Sequence, residues 1–328
     1  MTFSGQLSAI FVAILIVSST SRAAIADDEP VQFTRGDGKV EITIAGHPVA
    51  TYVYNDPVIT RPYFAHVFVP GGTQVTRNYP PVEGQDLMDH PTFHPGIWMA
   101  FGDISGSDYW RLKSPVRQTE FVEEPRGDAK KGAFAVRNEY LDQTDPKKVA
   151  CREVARFEVL VRPAGYLLLW DSTFFSDHEF CFGDQEEMGL GFRVATPLRV
   201  RSKTADNLPP GQGTMIDSHN RKNEKEIGRN SADWCDCSGP LDGKHIGMTI
   251  FCHPKNFRPS WFHARDYGLL EANPFGRQAF RQGDVSKIVV KPGESLRLRY
   301  GILLHSDSPG NPPNLPEAYQ DYLRVTGE

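Results

Sequence analysis

The chain has 328 residues, of which 23% are charged, and its net charge is -5 with both signs interspersed. Because no basic stripe is present, nucleic acid and anionic membrane surfaces are poor candidates for partners. Aromatic residues make up 11%, and 25 Pro with 29 Gly indicate many turns. The composition is that of a globular chain with ample material for a core.

The N-terminus has the features of a secretory signal. Residues 7–17, LSAIFVAILIV, form a mainly apolar run, which is followed by Ala24-Ile25-Ala26. The run is shorter than the ~20 residues that span a bilayer, and an A-x-A ending marks a cleavage site. We therefore expect a signal peptide over residues 1–26, export to the periplasm or the extracellular space, and one mature domain over residues 27–328. No later segment is long and apolar enough to be an integral membrane segment.

The elements that follow alternate apolar and polar residues with a period of two, which predicts strands. Residues 40–44 and 49–54 form a predicted hairpin around Ala45-Gly46-His47-Pro48. Further strands are predicted at 63–69, 96–101, 119–122, 133–140, 149–161, 166–175, 190–200, 244–252, 261–270, 287–290 and 295–304. The polar stretch 206–233 is predicted to be a long loop, and Leu315–Val325, with Pro316-Glu317 in its first turn, a helix.

Many strands without alternating helices predict an all-β fold, a large β-sandwich with a short C-terminal helix. Disulfides are permitted in an exported chain but not required. Buried thiols, or a disulfide that involves Cys235, Cys237 or Cys252, both fit the sequence. The odd count leaves at least one free thiol among the five cysteines, which are Cys151, Cys181, Cys235, Cys237 and Cys252.

The downstream window, residues 261–276 (WFHARDYGLLEANPFG), carries a candidate binding face. In a strand, period two places Trp261, His263, Arg265 and Tyr267 on the same side. Such a face suits a sugar or a carboxylate, because Trp and Tyr offer ring faces, Arg a fixed fork of donors, and His a proton near neutral pH. Asn273 begins a tight turn, Asn-Pro-Phe-Gly, and is predicted to point back at the site.

The upstream window, residues 88–111 (MDHPTFHPGIWMAFGDISGSDYWR), is the second candidate. His90 and His94 each directly precede a proline, which disfavours a helix that would bring them to one face as a metal pair. Acid–base or sugar-binding histidines, loop-bracing histidines, and a metal held by these two with His263 or Asp103 all remain open. Trp98 and Ala100 are predicted to face one way, and Ile97, Met99 and Phe101 the other.

Weaker candidates complete the set. Arg61 and Arg77 lie beside turns and are assigned to substrate binding, and the Gly71-Gly72 pair is a predicted hairpin turn rather than a phosphate cradle. Glu187, one of two adjacent carboxylates, is a candidate general base. A serine nucleophile elbow, a Walker loop and a dinucleotide fingerprint are absent.

Several long motifs resemble the secreted PmoA-like family, labelled "methane oxygenase PmoA": RPYF, PGGTQVTRNYP, DHPTFHPGIWMAFGD, EMGLGFRVATPL, WCDCSGPLDGKHIGM and the downstream window. The resemblance covers nearly the whole mature chain and implies a galactose-mutarotase-like β-sandwich (supersandwich). Members usually read DHPHHRGLWFAHG. Here His94 matches the second of the paired histidines, whereas Phe93, Pro95 and Phe101 replace the first histidine, the arginine and the later histidine.

Together these observations predict an exported protein that acts on a sugar or glycoside by His/carboxylate acid–base chemistry, as an epimerase, lyase or hydrolase would. The catalytic candidates are His90, His94, Asp103, Glu187 and His263. The candidates for substrate binding are Arg61, Arg77, Trp98, Trp261, Arg265, Tyr267 and Asn273. A small sugar or an oligosaccharide is the expected ligand, no metal ligand is assigned, and the cofactor is unknown. A non-catalytic carbohydrate-binding protein is the alternative, and a metal-dependent oxygenase is a distant third.

Overall fold

The structure, a computed structural model, describes Met1, residues 30–200 and residues 208–328. Apart from Met1, the predicted signal peptide lies outside these ranges. In chain order the strands are β1 (Val31–Gly36), β2 (Lys39–Ile44), β3 (His47–Val53), β4 (Tyr63–Ala65), β5 (Ile97–Phe101), β6 (Val116–Gly127), β7 (Lys131–Leu141), β8 (Val149–Arg162), β9 (Gly165–Phe175), β10 (Phe180–Phe182), β11 (Met188–Arg193), β12 (Thr214–Asp217), β13 (Trp234–Leu241), β14 (Lys244–Cys252), β15 (Trp261–Arg265), β16 (Leu269–Asn273), β17 (Ile288–Val290) and β18 (Leu296–Asp307). The helices are α1 (Asn223–Ile227) and α2 (Leu315–Val325).

Two eight-stranded antiparallel sheets form the body of the molecule. The first sheet has the order β1-β2-β3-β4-β5-β11-β16-β15, and the second has the order β12-β13-β14-β18-β9-β8-β7-β6. Strands β10 and β17 form a separate two-stranded sheet. This arrangement confirms the predicted all-β sandwich.

Aromatic side chains join the inner faces of the two sheets. Tyr52 and Phe64 of the first sheet surround Phe157 of the second, with ring centroids 5.1 Å from it in both cases. Phe134 and Trp170 complete the cluster at 5.0 and 4.8 Å. Rings in such tilted and edge-on contacts fill the space between sheets and bury large apolar areas.

The β2–β3 hairpin is confirmed, with Ala45 and Gly46 in left-handed backbone conformations (φ 49° and 78°) at its turn. The predicted strand 63–69 ends at Ala65, because His66 is also left-handed (φ 49°). The predicted strand 190–200 is wrong in its second half, since β11 stops at Arg193 and Pro197 sits in a 3-10 turn. The prediction of one long loop at 206–233 is also wrong, because the described part of this stretch contains β12 and α1.

The predicted strand 261–270 is in fact a hairpin. Asp266, Tyr267 and Gly268 form the turn between β15 and β16, and the amide of Gly268 donates to the carbonyl of Arg265 at 2.8 Å. Gly268 has φ 98°, a conformation that a side chain would strain. The alternation seen in the sequence therefore belongs to two paired strands.

Helix α2 has the predicted bounds. The side chain of Asn314 accepts a hydrogen bond from the amide of Glu317 and so caps its first turn. Leu315, Tyr319 and Tyr322 pack with Phe251 and Leu303 on the outward side of the second sheet.

All five cysteines are free thiols, and four of them are buried. Among the described residues, no helix has both the length and the apolar character needed to cross a bilayer.

Replacement of Phe157 by Ala tests the packing between the sheets. We expect Phe157→Ala to lower the free energy of unfolding by about 3–5 kcal/mol, because it opens a cavity among four rings. Urea denaturation of the purified chain measures this loss. Val122→Ala, on the exposed face of β6, is the control and should change stability by less than about 0.5 kcal/mol. Equal effects of the two substitutions would contradict the proposed packing.

Candidate functional site

The outward face of the first sheet carries most of the predicted site residues. On β5, Ile97, Met99 and Phe101 point into the core, whereas Trp98 and Ala100 point outward, as predicted. The strand register then places Trp98 opposite Gly191, Gly191 opposite Glu271, and Glu271 opposite His263. Side chains from the upstream and downstream windows therefore share one row across four neighbouring strands.

His263 and Glu271 form a buried pair in this row. The Nδ1 atom of His263 lies 3.2 Å from Oε2 of Glu271 and 3.2 Å from the carbonyl oxygen of Glu186. Because a carbonyl oxygen can only accept, Nδ1 carries the proton and Nε2 keeps its lone pair. Within the described chain Nε2 makes no hydrogen bond, and solvent reaches 5% of the side chain.

Burial favours the neutral form of both members of the pair. It lowers the pKa of His263 to about 4, with a further contribution from the charge of Arg265. Burial also raises the pKa of Glu271 well above its usual value, and the charge of Glu187 acts in the same direction. The second oxygen of Glu271, Oε1, is buried without a hydrogen-bond partner among the described residues.

A loop with two carboxylates lies over this pair. Glu187 pairs with Arg111, and solvent reaches 30% and 33% of their side chains. Glu186 accepts a hydrogen bond from Arg265 at 3.1 Å. Asn273 holds the loop in place, because its Nδ2 donates to the carbonyls of Gln185 and Glu186 at 2.9 and 3.0 Å. Its Oδ1 accepts from the amides of the turn that follows, so this side chain points toward the site but is fully used in positioning.

The two histidines of the upstream window stack beside this row. His94 lies between Trp98, 5.0 Å away and nearly parallel, and His90, 4.7 Å away. Tyr267 of the downstream window stacks with His90 at 5.5 Å. Burial lowers the pKa of His94 well below its usual value. The two windows, far apart in sequence, are therefore in contact.

Arg193 joins the two windows electrostatically. Its guanidinium donates to both carboxylate oxygens of Asp89 at 2.7 and 2.9 Å and lies 4.4 Å from the ring centre of Tyr267. It also approaches Nδ1 of His94 at 3.3 Å. Since an arginine can only donate, that nitrogen of His94 is unprotonated. Burial alone would raise the pKa of Asp89, but hydrogen bonds from His90 and Arg193 hold it well below its usual value.

The structure corrects the roles expected for two arginines. Arg61 donates to the carbonyls of Phe93, Tyr109 and Trp110 at 2.6 to 3.2 Å. Arg77 donates to the carbonyls of Leu87, Asp89, His90 and His94 at 2.7 to 3.4 Å. Both are buried and brace the loop that carries the histidines. Their terminal nitrogens are occupied, so they are not placed to bind substrate.

Three other candidates, Trp98, Asp103 and Trp261, lie in different surroundings from those that were expected. Trp98 is completely buried beneath His94, so it cannot stack on a sugar ring in this structure. Asp103 accepts a hydrogen bond from the amide of Gly106 and closes a turn after β5, without contact to His263 or His94. Trp261 is partly exposed, and the guanidinium of Arg258 lies 5.4 Å from its ring. Arg265, Tyr267, His90 and Glu187 remain accessible.

Three residues of the candidate site were not identified from the sequence, namely Glu271, Arg193 and Arg111. Glu271 and Arg193 occupy outward positions of β16 and β11, next to the glycines and small residues of those strands. A buried carboxylate within LLEAN and a buried arginine within GLGFR are the signals that could have identified them. No group of three or more metal-ligating side chains is arranged to hold an ion in the ranges that the structure describes.

Comparisons with known proteins complete the description. A family model described as "Family of unknown function (DUF6807)" matches residues 39–319. None of the curated proteins matches this sequence.

Two solved structures show a likeness of fold. An α-galactosidase from Lactobacillus brevis has 8% identity and a TM-score of 0.40, over 85% of this chain and 39% of that one, so the chain spans well under half of its length. A galactose mutarotase-like protein from Lactobacillus casei ATCC 334 has 8% identity and a TM-score of 0.38, over 84% of this chain and 100% of that one.

The Asp89–Arg193 pair predicts a pH-dependent stability. Folding lowers the pKa of Asp89 below the value of ~3.9 that an aspartate has in the unfolded chain. The pair therefore contributes to the free energy of unfolding above this pH, and its contribution is lost as the pH falls below it. We expect Asp89→Asn to lower the free energy of unfolding by roughly 1.5–3 kcal/mol at pH 7, and by progressively less below pH ~4. Urea denaturation across this pH range measures the difference. Asp37→Asn, in the exposed β1–β2 turn, is the control, and a pH-independent effect of Asp89→Asn would contradict the pairing.

Proposed function

This chain belongs to the DUF6807 family, and we propose that it is an exported enzyme that acts on a sugar or glycoside, with His263 as the acid–base group. One observation carries this proposal. The buried pair of Glu271 and His263 lies on the outward face of a sheet, with Nδ1 engaged and Nε2 free. The N-terminal apolar run and its Ala-Ile-Ala ending support export.

The geometry assigns separate tasks to the two side chains. The backbone carbonyl of Glu186 fixes the tautomer of His263, so that Nε2 can accept a proton from a sugar hydroxyl or from a carbon beside a carbonyl group. Glu271 contacts Nδ1, and its carboxyl oxygen can accept a hydrogen bond from this nitrogen and hold the ring in place. It is thus a positioning residue, and His263 is the group that would contact the substrate. The same histidine can return the proton in the next step, as epimerisation or elimination requires.

The accessible surroundings suit a sugar. Tyr267 and His90 present ring faces that can pack against the apolar face of a pyranose. Arg265 and Arg111 supply donors, and Glu186 and Glu187 supply acceptors, as a polyhydroxyl ligand requires. The Glu187–Arg111 pair is partly exposed, and such pairs contribute little to stability. A substrate hydroxyl can therefore replace that contact and reach His263.

A binding function without catalysis is the second candidate, and the near-complete burial of the pair favours it. Solvent reaches 5% of the His263 side chain and none of Glu271, whereas His90 is exposed and Tyr267 is partly exposed.

The PmoA-like resemblance stays a prediction. Two positions at which that family carries histidine are Phe93 and Phe101 here, and Phe101 packs in the core against Phe174 and Phe182.

The first test of catalysis is a pair of substitutions. We expect His263→Ala to abolish turnover, and Glu271→Ala, which removes the hydrogen-bond partner of Nδ1, to reduce it by about tenfold, with ligand affinity retained in both. Purified chain is screened against mono-, di- and 3-keto-sugars by NMR, which detects both products and binding. His47→Ala and Glu124→Ala, at exposed positions of β3 and of β6 in the second sheet, are the matched controls. Sugar binding by the wild type without any product would support the binding function and contradict catalysis.

The second test is the pH dependence of turnover. Nε2 must be unprotonated to accept a proton, and the pKa of His263 is lowered to about 4. We therefore expect kcat/KM to be constant above that pH and to fall tenfold for each pH unit below it. Circular dichroism at each pH ensures that the chain remains folded. An acid limb near the ordinary histidine pKa of ~6.5 would show that a different, more exposed group is the base.

A further inference from the structure

The outward face of β15 continues past His263 to Trp261, the first residue of the strand. The ring of Phe280 lies beside both side chains, with its centre 6.2 Å from that of His263 and 6.5 Å from that of Trp261. Next to Trp261 the guanidinium of Arg258 lies 5.4 Å from the centres of two rings, those of Trp261 and Phe257. Trp261 and Arg258 are partly exposed and Phe257 is 36% exposed. This end of the row is therefore open to a ligand.

Two arginines at this end have no carboxylate partner. Nη1 of Arg258 donates to the carbonyl of Pro274 at 3.3 Å and to the hydroxyl of Ser286 at 3.1 Å. Nε and Nη2 of Arg277 donate to the backbone carbonyls of residues 284 and 285 at 2.6 and 3.3 Å. The other guanidinium nitrogens of both arginines have no hydrogen-bond partner among the described residues, and they are not enclosed by protein atoms. Each arginine therefore has at least one donor left for a ligand.

The positive charge at this end is only partly compensated. Burial lowers the pKa of Arg258, and the charge of Arg277 acts in the same direction, whereas the charge of Asp184 opposes it. The two oxygens of Asp184 accept hydrogen bonds from three backbone amides at 2.6 to 3.0 Å, so this carboxylate is already engaged. The segment 277–287 carries three cations, Arg277, Arg281 and Lys287, against the one carboxylate of Asp284. An anion is thus favoured here, although the whole chain has a net charge of -5.

Ring faces lie on both sides of His263. Trp261 lies toward the start of β15, and Tyr267 with His90 lies past its end. At a rise of ~3.3 Å per residue, Trp261 and Arg265 are about 13 Å apart along the strand, which is longer than one pyranose ring. A ligand that contacts both ends of the row therefore has two or more sugar units.

We propose that the candidate site takes an acidic oligosaccharide, with one uronate unit held by Trp261, Arg258 and Arg277 beside the unit at His263. This inference rests on the sugar function proposed for the same site, and it names the substrate class. The Trp261 ring can pack against the apolar face of the uronate. The guanidinium donors of the two arginines suit its carboxylate, because hydrogen bonds between charged groups are about twice as strong as neutral ones.

The test is isothermal titration calorimetry of the full chain with tetragalacturonate and tetramannuronate. The neutral tetrasaccharides of galactose and mannose with the same linkages, in which a hydroxymethyl group replaces each carboxylate, are the comparison ligands. We expect at least one of the two acids to bind about tenfold or more tightly than its neutral counterpart. An increase of NaCl from 50 to 300 mM should weaken binding of that acid by about threefold or more, because salt screens exposed charges.

Substitutions separate a binding role of the arginines from a structural one. Arg258→Gln and Arg277→Gln should each weaken binding of the acid by about tenfold, and they should leave the affinity for the neutral tetrasaccharide unchanged. A merely structural role would lower both affinities together. Arg126→Gln, at an exposed position of β6 in the second sheet, is the matched control and should change neither affinity. Circular dichroism of each variant verifies that it is folded.

The uronate is overturned if neither acid binds, if acid and neutral tetrasaccharides bind equally, or if both glutamine variants bind the acid like the wild type. His263→Ala tests the proposed function separately, because this variant should bind the acid with unchanged affinity and form no product. Binding of the acid by the wild type without any product would support the uronate and contradict catalysis. Binding of the neutral tetrasaccharides alone would support a sugar ligand and contradict the uronate.

Discussion

The buried charge of Arg193 determines how the candidate site is built. Its side chain projects from the outward face of β11, where its neighbours along the strand are Gly189 and Gly191, which offer no side-chain partner. The side chain of Arg193 is 1% exposed. A charged group at this depth destabilises the fold unless hydrogen-bond acceptors compensate for the loss of its hydration. Asp89 supplies them, and the loop that carries Asp89 is thereby held against the sheet. His90 and His94 follow in that loop, so their positions beside Tyr267 result from this one pair.

The two carboxyl groups of the site, those of the half-buried Asp89 and the fully buried Glu271, lie in opposite environments. Asp89 faces Arg193 and His90, which keep it charged, whereas Glu271 faces a neutral imidazole and the negative charge of Glu187, which favour its protonated form. Carboxyl groups whose pKa values are pushed apart in this way take different tasks in acid–base sites. Here the charged one anchors a loop, and the neutral one contacts the histidine with the free Nε2. This division is the physical reason to place the chemistry at His263 rather than at His94, whose Nδ1 already accepts from Arg193.

The sequence predicts the local geometry well and the long-range contacts poorly. Alternation along β5 and β15 correctly assigns Trp98, His263 and Arg265 to the outward face, because a side chain's direction in a strand depends only on its neighbours. The sequence could not show that Arg61 and Arg77 brace the histidine loop. Their acceptors are backbone carbonyls of that loop, whose path depends on the folded structure. Glu271 was hidden by a turn. The predicted strand 261–270 ended before Glu271, whereas the hairpin at Gly268 places Glu271 beside His263.

Close packing of the sandwich explains why the candidate site lies on an outward face. Between the sheets, the interior holds a void of about 10 Å³ lined by apolar side chains, which is about the space of one water molecule. A void of this size has no room for a sugar, which needs an outward face that loops or a helix can wall in. The first sheet uses the loops that carry Asp89 and Glu187, whereas on the second sheet the apolar residues of α2 cover one part of the outward face. Gly191 and Gly301 have the same task on the two sheets, because each leaves space on its strand where an aromatic ring, Trp98 or Tyr322, lies close to the backbone.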